Sequence, residues 1–309
     1  MSTTSDEQEA AAVVELSEIE VVLVTYRSRA LVETLLARLP RDLPLVVVDN
    51  SGGADAVADV LEGREHARYL DGGGVGFARA ANLGAWSSER PYLVFVNPDT
   101  APTPEQLFAL VEELKGDPGL AAVSATTVTH DGRVELGVGG WEPTVGRVLV
   151  YATGLHSRFP TAGVFARPEP HQEIDLEWLT GACLAVPRET FVALGGFDEQ
   201  HFIYNEDMAY GRRLREAGLR QKLRTDLLVP HAGAGSGGAK TTMLQMRGAS
   251  MFDYVRRHNS APAAHTMRLV LAAGSLGRAA VCRARGNPDA AAGFAAYNRG
   301  LWRGAPDMS

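Results

Sequence analysis

Cysteine is scarce in this chain of 309 residues, which has only Cys183 and Cys282. Two thiols cannot form the disulfide framework of a small secreted fold, and they suit a reducing cytosol. Long apolar runs are missing as well. The longest near the C-terminus, residues 269–277, is nine residues closed by Arg268 and Arg278, whereas a membrane-spanning helix needs about 20. Residues 1–20 have no basic stretch followed by an apolar one, so no secretory signal is legible. A basic surplus is absent from most of the chain: residues 1–240 carry 21 Lys and Arg against 34 Asp and Glu. That balance argues against a nucleic-acid binder, which needs a basic face. No segment repeats. The expectation is a cytoplasmic protein without a transmembrane segment, soluble or peripheral at the inner face of a membrane.

What is present is an alternation of strand and helix. Apolar, β-branched runs at 19–24, 45–48, 67–70 and 92–96 are separated by helical spacing at 30–39, 54–61 and 77–87. Such runs, flanked by helices, indicate parallel strands covered on both faces. A helix at 104–114 and a strand at 120–127 follow. Residues 130–173, rich in Gly, Pro and Arg, are expected to be loops with a short hairpin. Regular structure returns at 174–186, in a helix at 207–217 and in a strand at 221–229. Three parts are expected: a disordered leader (1–18), an α/β domain (19–240) and a helical extension (241–309). The extension is basic, with nine Arg against three Asp. Its helices are expected to pack on the acidic body or on a second subunit in a homodimer; lying on an anionic membrane surface is the alternative.

Polar residues collect where the strands end, which is where open α/β sheets bind ligands. Thr25-Tyr26 and Asp49-Asn50 each follow a strand; an Asp there can accept the N3–H of a pyrimidine, and a Tyr can pack on its ring. The bland reading of Asp49 is a helix cap. Residues 72–77, Gly-Gly-Gly-Val-Gly-Phe, do not fit the dinucleotide fingerprint, because Phe77 and Arg79 occupy the places of the required glycine. They read as a tight turn into a helix N-terminus, with Gly76 before the helix and Asn82 inside it. Asn97-Pro98-Asp99 ends a buried strand, where a carboxylate can hold a divalent cation against phosphates.

Taken in order, Thr-Tyr, Val-Asp-Asn, Gly-Phe-Ala with Asn82, Asn-Pro-Asp, Thr180-Gly181-Ala182, Gly-Gly-Phe-Asp-Glu at 195–199, Glu206-Asp207 and His231 resemble the family 2 glycosyltransferases. The likeness is strongest to bacterial rhamnosyltransferase-like members and covers about residues 19–240. It implies the GT-A fold: a mostly parallel mixed sheet with helices on both faces, here with a C-terminal helical extension. It implies a hexosyltransferase that moves a sugar, rhamnose being the first guess, from a dTDP- or UDP-linked donor with inversion. The acceptor would be a hydroxyl on a glycan, a lipid-linked glycan or a small molecule. Asp49 then matches the base-recognising Asp, with Thr25, Tyr26, Asn50, Gly76, Asn82 and Asn97 on the nucleotide side. Asp99 and His231 match the ligands of a divalent metal, Mn²⁺ or Mg²⁺. Asp207 matches the catalytic base, beside Glu206, and Trp178, Thr180, Gly181 and Asp198 match the sugar and acceptor pocket. The Gly/Ser segment after His231 is expected to close over the diphosphate through Ser236 and Lys240. Where relatives often carry Asn, this chain has Gly73 or Gly74, which removes one diphosphate-side contact. Two other readings exist: a sugar-1-phosphate nucleotidyltransferase, whose glycine-rich loop should follow the first strand but does not, and a sugar-nucleotide-binding protein without catalysis.

Overall fold

The computed structural model describes residues 14–233 and 240–306; most of the leader and the 234–239 stretch, with Ser236, lie outside them. Four parallel strands build one half of the central sheet: β1 (Ile19–Thr25), β2 (Leu45–Asp49), β3 (Ala67–Asp71) and β4 (Tyr92–Val96). The other half holds β5 (Leu120–Val128), β8 (Cys183–Pro187) and β9 (Arg220–Pro230). The order across the sheet is β3-β2-β1-β4-β8-β5-β9, with β8 antiparallel to both its neighbours. A two-stranded ladder joins β6 (Gly139–Gly140) to β7 (Trp178–Leu179).

The register decides where the chemistry can sit. Thr25 pairs Asp49, and Asp49 pairs Asp71, so three strand ends line up at one edge. Val96 pairs Cys183 on reversed β8, which brings Gly181 and Ala182 to the same edge from the opposite chain direction. Val128 pairs Pro230, placing His231 there too. The side chains behind this edge are apolar and buried, which fixes the register, because a slip by one residue would turn every one of them to the wrong face.

One face of the sheet packs on α1 (Arg29–Leu36) and α3 (Pro104–Gly116) through residues such as Val32, Leu35, Leu107 and Leu110. Helix α3 starts where its sequence says it should: Thr103 and Gln106 form a reciprocal capping box ahead of Pro104. The other face packs on α2 (Phe77–Trp86), α5 (Arg188–Ala193) and α6 (Glu206–Glu216) around an aromatic cluster. There Phe197 lies 4.9 Å from Phe95 and 5.1 Å from Phe191, ring centre to ring centre.

Three differences from the sequence expectation have local causes. Residues 14–18, assigned to the leader, are ordered: Leu16–Glu18 form a 3₁₀ turn, Leu16 packs on the core, and Glu18 pairs with Lys115 at 2.9 Å. Residues 54–61 make only a 3₁₀ turn at Val57–Leu61, because Ala56 in the left-handed region breaks the helical path. The stretch 130–173 contains a helix, α4 (Val145–Thr153), capped by Thr144 and ended by Gly154 at φ 83°. The regular structure expected at 174–186 consists of two short strands, β7 and β8, parted by the Thr180–Ala182 crossing.

The C-terminal helices are α7 (Lys240–His258), α8 (Ala261–Ala284) and α9 (Pro288–Arg303). With α4 and α6 they share a third core containing Val148, Met208, Met251, Tyr254 and Met267. Helices α7 and α9 cross at glycines: a Cβ on Gly248 would overlap the Tyr297 carbonyl, and one on Gly300 the Gln245 carbonyl. Among the described residues no helix is long and apolar enough to cross a membrane.

Candidate active site

A cavity of about 880 Å³ opens at the aligned strand ends. On the parallel side it is lined by Thr25, Tyr26, Asn50, Asn97 and Asp99; on the other by Trp178, Thr180, Gly181, Glu206, Asp207 and His231. Eleven of the fifteen residues singled out in the sequence therefore converge.

Asp49, Gly76, Asn82 and Asp198 do not line it. Asp49 is fully buried, and its carboxylate accepts hydrogen bonds from the Ser51 N–H (2.8 Å), Ser51 hydroxyl (2.7 Å), Gly53 N–H (2.8 Å) and Tyr69 hydroxyl (3.1 Å). Burial alone would raise its pKa; those donors outweigh it and hold the carboxyl below its usual range. Asn82 is buried and reads the backbone of Phe197, donating to its carbonyl at 2.9 Å and accepting from its N–H at 2.8 Å. Gly76 (φ 94°) lies against Phe202, with no room for a Cβ beside the Phe202 carbonyl, which accepts the Phe77 N–H. Asp198 turns away toward Arg257 of α7, at 3.8 Å, and accepts the Gln200 N–H. These four shape the walls rather than face the cavity.

Asp99 and His231 meet across the sheet edge. The bridge Thr100↔His231 and the bond from the Ala232 N–H to the Asp99 carbonyl fasten the two turns together. His231 Nε2 then lies 3.3 Å from Asp99 Oδ1, and Nδ1 lies 2.7 Å from Glu135 Oε2. Burial pulls the imidazole pKa down, but the bonds to Asp99 and Glu135 prevail and push it up to about 10. Glu135 is a residue that sequence reasoning missed; it sits in the irregular 130–173 stretch, where no spacing marks it. Among the described residues no three or more His, Cys, Asp or Glu form a ready cation cage. With the Nε2 proton displaced, as metal binding requires, an oxygen donor and an imidazole nitrogen 3.3 Å apart fit two positions of a divalent ion whose other positions phosphate oxygens or water would fill.

The opposite wall is built by strain and burial. Tyr204 and Asn205 both have φ 69°, a left-handed pair immediately before α6. Non-glycine residues enter that region at a cost and cluster at functional sites. The pair is held from α7, whose Ser250 hydroxyl donates to the Tyr204 carbonyl, while the Asn205 amide faces the sulfurs of Met251 on α7 and Met208 on α6. It delivers Glu206 and Asp207 to the first turn of α6. Glu206 is buried with one carboxyl oxygen unpartnered among the described residues, and desolvation together with neighbouring Asp207 raises its pKa well above normal. Desolvation also raises Asp207, to about 6, opposed by the N–H groups of Met208 and Gly181 and the charge of Arg247. A carboxylate so placed can take a proton near neutral pH.

Arg247, on α7, also went unremarked in the sequence as a site residue. It lines the cavity with its guanidinium 5.5 Å from the Tyr204 ring centre and 5.9 Å from that of Phe165. The signal was a single cation inside the methionine-rich segment 243–251. Lys240, expected to touch a diphosphate, does not line the main cavity.

Comparison with known proteins bears on what this cavity serves. The family described as Glycosyl transferase family 2 matches residues 20–163. N-acetylglucosaminyl-diphospho-decaprenol L-rhamnosyltransferase of Mycobacterium tuberculosis is 28% identical over 224 residues, which span 65% of this chain and 71% of that protein. Among solved structures, a mannosyltransferase of Pyrobaculum calidifontis in complex with GDP-Man and Mn²⁺ superposes with a TM-score of 0.57 at 17% identity, covering 92% of this chain and 87% of that one. Glucosyl-3-phosphoglycerate synthase of Mycobacterium tuberculosis, in complex with Mn²⁺, UDP and phosphoglyceric acid, gives 0.50 at 17% identity over 78% of each chain. At such identities the structures establish the fold, and the fold is GT-A. The family match falls on the strands that gather Thr25, Asn50 and Asp99, so this part of the chain is similar to the family 2 glycosyltransferases.

Proposed function

We propose that the chain transfers a sugar from a pyrimidine nucleotide diphosphate donor to a hydroxyl acceptor, with inversion at the anomeric carbon. The observation that carries this reading is Asp207, with its raised pKa, in the same cavity as the Asp99–His231 pair. The acceptor hydroxyl oxygen attacks the anomeric carbon as the bond to the donor diphosphate breaks, and the electron pair leaves with the diphosphate. Asp207 takes the proton released from the hydroxyl. Arg247 keeps that carboxylate ionised enough to accept it. Tyr26 and the buried Oδ1 of Asn50, unpartnered among the described residues, contact the nucleobase, with Thr25 and Asn97 beside them. Asp49 acts on the base only indirectly, by holding the 51–53 turn. Trp178, Thr180 and Gly181 line the sugar side, and the buried indole N–H of Trp178, unpartnered among the described residues, suits a sugar hydroxyl.

Asp99 and His231 would hold a divalent cation, Mn²⁺ or Mg²⁺. Such an ion supplies charge neutralisation to a departing diphosphate. Manganese in the two solved enzymes supports this choice. The name of the mycobacterial relative supports rhamnose as the first sugar to try, on a dTDP carrier.

Thermal-shift titration with dTDP-rhamnose, UDP- and GDP-sugars, each with Mn²⁺ or chelator, tests the reading. A pyrimidine-linked donor is expected to raise Tm only when the metal is present. If no nucleotide sugar shifts Tm, or the shift is indifferent to chelator, the donor and metal assignment falls.

A further inference from the structure

His201 is a buried titratable residue that the transfer step leaves unused. It is 2% exposed and does not line the main cavity, although residues 202–208 after it form one wall. Its ring lies 6.1 Å from that of Tyr254 on α7, centre to centre. Nδ1 is 3.2 Å from the Ser250 hydroxyl oxygen, and that oxygen is 2.5 Å from the Tyr204 carbonyl oxygen. Nε2 is buried without a hydrogen-bond partner among the described residues, 3.9 Å from Asp198 Oδ2.

The protons in this chain of contacts can be counted. A serine hydroxyl has one hydrogen and a carbonyl oxygen only accepts, so the Ser250 hydrogen goes to Tyr204. The contact between His201 and Ser250 is then a hydrogen bond only if Nδ1 carries a proton. Burial holds the imidazole pKa below its usual value, against the charge of Asp198, and a neutral ring has a single N–H. Nε2 is therefore bare beside a carboxylate, and the Ser250 contact is what selects that tautomer. We propose that His201 is a positioning residue for transfer: its Nδ1–H fixes the Ser250 hydroxyl on the Tyr204 carbonyl, which holds the left-handed Tyr204–Asn205 pair and sets where Asp207 stands at the head of α6. This rests on the reading of Asp207 as the base. The pair needs such a hold, because left-handed residues other than glycine persist only where their surroundings over-determine them. Three residues on from Tyr204, Asp207 Oδ1 accepts the Met208 N–H at 2.8 Å.

The full-length protein labelled with ¹⁵N at histidine reads the tautomer directly, the His201 signals being assigned by their loss in His201→Asn. The wild-type ring is expected to carry its proton on Nδ1 at neutral pH. Ser250→Ala removes the acceptor and should shift the ring toward Nε2–H. In the same variant the Met208 amide should exchange with solvent at least about tenfold faster, while amides of β1 to β4 keep wild-type rates. Turnover is followed as nucleoside diphosphate released from the donor that the thermal-shift titration selects, with water in place of the acceptor. Ser250→Ala and His201→Gln should each lower kcat by about 10- to 100-fold, as a displaced base does, with the donor KM within about twofold. An asparagine amide nitrogen takes the place of Nδ1, which the longer glutamine does not reproduce, so His201→Asn should keep kcat within about threefold of wild type. A wild-type ring bare at Nδ1, unchanged Met208 exchange in Ser250→Ala, or equal kcat in His201→Gln and His201→Asn would overturn the proposal. If His201→Gln does not fold, the wild-type tautomer and Ser250→Ala decide. If no nucleotide sugar turns over, the transfer-site reading fails separately, and the tautomer and the Met208 exchange still test the relay.

Discussion

At the scale of single residues, the site divides into groups that do chemistry and groups that hold them. Asp207→Asn keeps the shape of the first turn of α6 but removes the proton acceptor. Transfer should fall by a factor on the order of 10³ while nucleotide affinity stays within twofold; activity within tenfold of wild type would pass the role to Glu206. The raised pKa of Asp207 sets the acid limb of the rate profile. Below about 6 the carboxyl is protonated and cannot accept, so the rate should climb tenfold per pH unit and flatten above that value. A flat profile from pH 5 to 8 would contradict it. For Glu206 the consequence is stability. Its pKa is higher folded than unfolded, so its stabilising effect is complete below the ordinary carboxyl range and is lost as pH rises toward the folded value. Glu206→Gln should match wild type in Tm at pH 4 and exceed it by roughly 2–4 °C at pH 8, a gap of about 1 kcal/mol. Asp99→Ala and His231→Ala should each cost at least about tenfold in Mn²⁺-dependent nucleotide affinity, near the lower end of what perturbing a metal site costs. The double variant should lose less than the sum if both act through one ion. Calorimetry with and without chelator separates the cases.

At the scale of elements, the strand ends were legible because parallel strands buried on both faces leave a simple trace, an apolar run broken by one polar group at the edge. Thr25, Asn50, Asn97 and Asp99 all follow that rule. Asp49 looks the same in sequence and faces elsewhere. Which side of a strand end points to solvent depends on the turn after it, and the Ser51–Gly53 turn captures Asp49. Helix α4 was hidden by its β-branched, glycine-containing stretch at 145–150, although Thr144 and Gly154 marked its two ends. The reversal of β8 and the approach of α7 to Tyr204 are long-range pairings that no local spacing encodes. The crossing of α7 and α9 is stricter than its composition suggests. Gly300→Val should destabilise the protein by about 1–3 kcal/mol, the usual cost of overpacking; an unchanged denaturation midpoint would mean that the helices slide apart freely.

At the scale of the molecule, residues 241–309 are not an appendage. They complete the third core, supply Arg247 to one wall and clamp the strained pair ahead of α6 through Ser250. A chain cut after residue 247 should therefore elute as aggregate on size exclusion, with Met208 and Trp178 uncovered; a monodisperse, folded product would show that the α/β part stands alone. The antiparallel β8 has a different reach. Because it runs against β4 and β5, the chain leaves the sheet on β5 and re-enters on β8 at the same edge, and the whole 129–182 excursion starts and finishes there. Thr180 bonds back to Val138 and to Ser124 across that neck. An excursion with adjoining ends works as an exchangeable cassette: it can be lengthened, shortened or grafted from a relative without moving β1 to β4, so one donor-reading half could be paired with many acceptors.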